Sequence, residues 1–257
     1  MRFLKKLGMW LGLPVILIAI WWLATSQGVN FFVPTPAKLA EKFVSVWFSE
    51  RFFADVVPSI GRLLLGLAIS IVIGIALGIA IGLTRPLRWL LEPLLEFVRA
   101  IPSTILIPVL LLLIGINDAM KITVIVLGCL WPVLLNTIEG VRSLDEVLTN
   151  TARVYGIRGF ARVRYLVFPG ALPQIMAGIR HSLAIGLILM VVSEMFASTD
   201  GIGHAIINFQ NRVAIPEMWS GIVLLGIIGV LLSVAFQAVQ KRALRWYYGL
   251  KEASNDG

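Results

Sequence analysis

The sequence predicts an all-α polytopic membrane protein with six transmembrane helices. Three observations predict it. The 257 residues are 58% hydrophobic, with a mean hydropathy of +0.91, whereas soluble domains carry about 45–50% apolar residues. Apolar residues gather in runs, most of which approach the ~20 needed to cross the hydrocarbon core. Lys and Arg cluster beside alternate runs, the asymmetry that sets membrane orientation. The formal net charge of +8 therefore reads as topology and not as a nucleic-acid surface. Cys129 is the single cysteine, so no intramolecular disulfide forms and a cysteine metal cluster is excluded.

The first predicted span is roughly Leu7 to Thr25. A basic start (Arg2, Lys5, Lys6) and an Ala24-Thr25-Ser26 end imitate a secretory signal. The run is long for one, and Trp21-Trp22 fits an interfacial aromatic belt, so a retained helix is expected. Asn30 to Pro58 follows as an outer segment. Pro34 and Pro36 mark a turn. Leu39, Phe43, Val44 and Trp47 then form a helical stripe within Ala37 to Phe48, an amphipathic helix at the outer interface.

The second span, Ile60 to Leu83, has no charge after Arg62. The third, Ser103 to Ile114, is short and begins beside Pro102. The fourth runs from Met120 to Ile138, the fifth from Ile175 to Phe196, and the sixth from Met218 to Val239. As helices they satisfy their own backbone groups in lipid. Gly74, Gly78 and Gly82 recur every four residues on the second span, permitting close helix–helix approach within the chain or, alternatively, between two copies. Placing the N-terminus inside puts fifteen Lys and Arg on inner segments and five on outer ones, with Arg62 and Arg180 near helix ends. Both termini are expected in the cytoplasm. The organisation expected is residues 1–59 as first helix plus outer segment, 60–244 as a core containing a loop at 141–173, and 245–257 as a cytoplasmic tail.

The loop carries the most specific pattern. Asn150 to Pro173 reads NTARVYGIRGFARVRYLVFPGALP. Ala152, Gly156, Leu166, Phe168 and Pro169 stand at the spacing of the cytoplasmic coupling loop of bacterial ABC importer permeases. That loop has a Glu-Ala-Ala, three residues, Gly, nine residues, then Ile-x-Leu-Pro. Phe32-Val33-Pro34-Thr35-Pro36, the Ser59 to Gly66 stretch with Arg62, Arg99-Ala100-Ile101-Pro102, Gly178-Ile179-Arg180, Glu194 and Gly201-Ile202-Gly203 add landmarks in the same order. Across Phe31 to Leu244 the chain resembles the permease branch serving aliphatic sulfonates, taurine, nitrate or bicarbonate. It departs at Asn150 and Thr151, which stand where the family has Glu and the first Ala, and this departure bears on the polar contacts to an ATPase.

The resemblance implies the type I ABC importer fold. It also implies a second permease copy, two cytoplasmic ATPase subunits that carry ATP and Mg, and an outer substrate-binding protein. This chain itself is expected to hold no cofactor and no metal. The docking residues implied are Asn150, Thr151, Ala152, Arg153, Gly156, Arg158, Gly159, Leu166 and Pro169. The cargo implied is a small anion. Related permeases carry riboflavin or a thiamine pyrimidine precursor, so the same architecture with that cargo is the alternative.

Other polar residues at membrane depth are candidates for a pathway or gate: Arg62, Asn136, Thr137, Arg180, Ser193 and Glu194. A carboxylate at that depth faces protein or water, so Glu194 is either a gate or one half of a structural salt bridge. Asn136, Thr137 and Ser193 can hydrogen-bond a solute or a neighbouring helix. His181 and His204 lack a second ligand at metal spacing and read as structural. No Gly-x-x-x-x-Gly-Lys-Ser/Thr occurs, so ATP chemistry is expected on a partner. An ion-driven secondary transporter would require inverted repeats and midplane charges, and the sequence offers no convincing repeat.

Overall fold

A computed structural model describes residues 2–26, 31–196, 198–247 and 249, with side chains described from residue 12 onward. Eleven α-helices follow one another among them, with no strand. They are α1 (Arg2–Thr25), α2 (Pro36–Trp47), α3 (Val57–Leu83), α4 (Arg85–Arg99), α5 (Leu106–Ile114), α6 (Asp118–Arg142), α7 (Glu146–Val154), α8 (Gly159–Arg162), α9 (Phe168–Phe196), α10 (Ile202–Asn211) and α11 (Ile215–Ala243). Four helical stretches are long and apolar enough to cross a membrane: Phe52–Leu83, Asp118–Arg142, Gly159–Phe196 and Ile215–Ala243. The segment Arg85–Arg99 with Ser103–Ile114 forms a fifth, bent by 69° at Ala100 to Pro102. Gly12–Thr25 is a shorter apolar helix.

The third expected span is thus half of a broken pair. Pro102 cannot continue a helix and pushes Ile101 out of the helical region, so α4 stops and a 3₁₀ turn at Ser103–Ile105 restarts the chain. Two five-residue π-helical segments precede prolines at equal spacing. Phe52–Val56 ends two residues before Pro58, and Val163–Val167 ends two residues before Pro169. A proline donates no N–H and crowds the preceding turn, and the wider π turn accommodates it.

The chain divides into two compact units, Met1–Pro58 with Thr199–Ile227 and Ser59–Ser198 with Ile228–Gly257. In the second, α3 and α6 run parallel. A Cβ on Gly66, Gly74, Gly78 or Gly82 would lie 2.5–2.8 Å from Ile125, Val133, Thr137 or Val141. The glycine series is therefore packed within this chain. Helix α9 lies antiparallel to α6. Ser182 Oγ donates to the Cys129 carbonyl (2.7 Å), and Cys129 Sγ returns a bond to the Ser182 carbonyl (3.2 Å). Val133, Val141, Val167, Ala171, Ile175 and Ile179 form the core there. Leu87, Leu91 and Leu95 of α4 close the other side over Ile81, Leu134 and Ile138.

In the first unit, Trp47 is buried and donates to Ser220 Oγ (3.0 Å), edge-on to Phe209. Asp55 is buried and accepts from the Gly201 N–H (3.0 Å) and from Arg51 (3.4 Å). Helix α2 is the amphipathic helix expected from the Ala37–Phe48 stripe.

Candidate functional site: a docking loop and a buried ionic cluster

The loop after α6 is built by local chemistry. Asp145 caps α7 by accepting from the N–H groups of Val147 (2.6 Å) and Leu148 (3.2 Å). Thr151 folds back on the Val147 carbonyl (2.8 Å), and Ala152 is buried. The helix ends in a Schellman closure. Ile157 N–H reaches the Ala152 carbonyl (2.9 Å) and Gly156 N–H the Arg153 carbonyl (3.1 Å), with Gly156 at φ 70°. Gly159, at φ 56°, then starts a helical stretch that continues unbroken to Phe196. Leu166 and Pro169 are half-buried at its base.

What protrudes is apolar. Val154 is 86% exposed, Tyr155 78% and Phe160 77%. They stand among Arg153, Arg158 and Arg164 on the loop that joins two apolar spans. Exposed aromatic groups beside arginines are the make-up of a protein interface. Sequence reasoning named the spaced residues and passed over these three. Their signal was large apolar residues inside a segment too charged for the bilayer. Below them, Thr149, Arg153, Ile157, Arg158, Gly159 and Arg162 line a cleft of 330 Å³.

The second feature lies at the opposite end of the same helices. Arg62 and Glu194 are 4% and 0% exposed, and Arg62 Nη1 donates to Glu194 Oε1 at 2.9 Å. Ser59 Oγ lies 2.7 and 2.8 Å from the two Glu194 oxygens. Arg62 also reaches Asp118 Oδ1 through Nε (2.9 Å) and Nη2 (2.7 Å). Buried Lys121 lies 3.4 Å from the same oxygen. Two cations and two carboxylates balance: Arg62, Lys121 and Glu194 are buried, while Asp118 is 63% exposed. The cluster ties the first turns of α3 and α6 to the last turn of α9. Ser59, Asp118 and Lys121 were not among the candidates. Asp118 could have been found as an acid in the first turn of an apolar helix.

The remaining pathway candidates are apart from this cluster. Thr137 is buried beneath Gly78 and donates to the Val133 carbonyl (2.6 Å). Asn136 donates to the Pro132 carbonyl (2.8 Å), and Ser193 to the Met190 carbonyl (2.9 Å). Arg180 is exposed and donates to Gln240 Oε1 (2.6 Å). His181 is exposed, and His204 shares a 2.7 Å hydrogen bond with Asn208. Among the described residues no three His, Cys, Asp or Glu are grouped to hold a metal ion. Lys42 pairs with Glu217 at 3.0 Å, and that hydrogen bond holds the ammonium above its ordinary pKa.

Residues 70–246 match the family described as binding-protein-dependent transport system inner membrane component. The chain is 35% identical to the aliphatic sulfonates transport permease protein SsuC of Escherichia coli (strain K12), over 98% of this chain and 97% of that one. It is 29% identical to the taurine transport system permease protein TauC of the same strain, over 92% and 89%. The fold resembles a chain of the MetNI methionine ABC transporter in its inward facing conformations, with a TM-score of 0.61 at 20% identity, over 74% of this chain and 94% of that one. The chain thus belongs to the family of inner membrane components of binding-protein-dependent transport systems, as a multi-pass permease.

Proposed function

We propose that the chain is the permease of an ATP-driven importer for a small sulfonate, or for a related small anion such as taurine, nitrate or bicarbonate. Two copies line one path, two cytoplasmic ATPase subunits bind the 150–173 loops, and an outer binding protein delivers the solute. The observation that carries the reading is the docking loop. A glycine-closed helix end exposes Val154 and Tyr155, and the start of the continuous helical stretch that reaches Phe196 exposes Phe160 beside them in sequence. A push on the loop is passed rigidly along α9 to the opposite end of the bundle. ATP and Mg belong to the ATPase, whose closure supplies the push. The sulfonate cargo is supported by the relationship to SsuC and TauC.

The test is co-purification of the tagged chain expressed with its ATPase and binding protein. We expect the ATPase to remain bound, and Tyr155→Asp with Phe160→Asp to release it while the permease still inserts. A sulfonate-stimulated ATPase rate in the reconstituted complex identifies the cargo. Transport of solute by the chain alone, without ATP, would overturn the reading in favour of an ion-driven carrier.

A further inference from the structure

We propose that the arginine-lined cleft of the docking loop binds a tetrahedral oxyanion, a phosphate or sulfate group. The cleft is 330 Å³ and is lined by Thr149, Arg153, Ile157, Arg158, Gly159 and Arg162. Arg153, Arg158 and Arg162 are among its lining residues and no acid lines it. Gathering like charges is unfavourable unless something neutralises them. Arg153 has a 3.4 Å contact to Asn150 Oδ1, a neutral partner. Among the described residues, no acid pairs with Arg158 or Arg162.

The geometry favours a small ligand over a partner's side chain. Val154, Tyr155 and Phe160 protrude, and a protruding surface enters a partner's groove. The arginines instead line a recess, with Arg162 half-buried and Arg153 and Arg158 exposed. Arg158 precedes the helical stretch in extended conformation, with no side-chain cap on its first turn. Guanidinium forks with a threonine hydroxyl beside them are donors of the kind that hold phosphate and sulfate. The source is either a free oxyanion of the cytoplasm or the phosphate of an anionic lipid. An occupied cleft changes the charge beside the docking face. That regulatory consequence rests on the docking reading, and the binding itself does not.

The experiment uses the full chain in nanodiscs of phosphatidylcholine, with radiolabelled inorganic phosphate and then sulfate in equilibrium dialysis at low ionic strength. We expect saturable binding of one anion per chain. Arg158→Gln with Arg162→Gln should weaken it at least about tenfold, as loss of charge-assisted bonds demands. Arg142→Gln, outside the cleft, should leave it unchanged. Arg158→Lys with Arg162→Lys keeps the charge and loses the forks, so intermediate binding separates recognition from misfolding. A second arm uses phosphatidylglycerol nanodiscs and native mass spectrometry. If free phosphate does not bind, but a phosphatidylglycerol stays with the protein and is lost in the double glutamine variant, the lipid is the source. Absence of both, or equal binding by the glutamine variant, overturns the proposal. Absence of both together with loss of ATPase co-purification in that variant assigns the arginines to carboxylates of the ATPase. Oxyanion binding without ATPase binding would instead overturn only the importer reading.

Discussion

Gly156 and Val213 occupy the same place in two helix ends. Each stands at positive φ, 70° and 57°, and each closes a Schellman pair, Val213 through Val213 N–H to the Gln210 carbonyl (3.0 Å) and Ala214 N–H to the Phe209 carbonyl (2.8 Å). A side chain in that region costs roughly 1–2 kcal/mol, and more for a branched one. A Cβ at Gly156 would meet nothing within 4 Å, so Gly156→Ala isolates the backbone term. We expect it to fray the end of α7 and weaken ATPase co-purification, and Gly156→Asn to retain more of it, because asparagine tolerates this conformation. Val213→Gly should do the reverse and raise Tm, since it removes strain at a half-exposed turn. The Arg62 cluster is governed by burial. Glu194→Met or Arg62→Met removes one half of the buried Arg62–Glu194 pair and leaves the other with less counter-charge inside the protein, at a cost of up to roughly 3–5 kcal/mol. Arg62→Met with Glu194→Met leaves Asp118 with Lys121 and should lose less than the two single losses added. Thermal unfolding of the four proteins in detergent measures this. Additive losses would show that Arg62 and Glu194 do not act as a pair.

The elements were legible where periodicity and composition agreed. The spans around α3, α6, α9 and α11 follow from apolar runs, and the four-residue glycine spacing pointed to close packing that α6 provides at Ile125, Val133, Thr137 and Val141. Helices α4 and α10 went unread for opposite reasons. Five charged residues in α4 made it look like an inner loop, although Leu87, Leu91 and Leu95 pack as a helical stripe. Helix α10 is short and follows Gly201 at φ 107°, which looked like loop chemistry. The ionic cluster was half legible: Arg62 and Glu194 were named separately, 132 residues apart, and sequence has no term that brings them together. The glycine ladder gives the sharpest test at this scale. Gly78→Val forces side-chain atoms into Thr137, where a Cβ already meets it at 2.5 Å, and overpacking costs about 1–3 kcal/mol. Gly226→Val, with nothing within 4 Å of its Cβ, should leave the Tm of the solubilised chain near that of the parent.

At the scale of the whole molecule, the reading depends on which side of the membrane the docking loop faces. The bias of fifteen Lys and Arg against five predicts Arg153, Arg158, Arg162 and Arg164 on the cytoplasmic side, with Lys38 and Lys42 outside. ATP is cytoplasmic, so an ATPase can act on the loop only in that orientation. The protein supplies a convenient background for testing this, because its single cysteine, Cys129, is buried. Phe160→Cys and Lys38→Cys each add one exposed thiol on opposite sides of the predicted topology. We expect a membrane-impermeant maleimide to label Lys38→Cys in right-side-out vesicles and Phe160→Cys in inverted ones, with the parent chain silent in both. The reverse pattern would place the loop outside and remove the ATPase from the mechanism, whatever the resemblance of its sequence. Protection of Phe160→Cys in inverted vesicles when the ATPase is co-expressed, with labelling restored by Tyr155→Asp, would link topology and docking in one measurement.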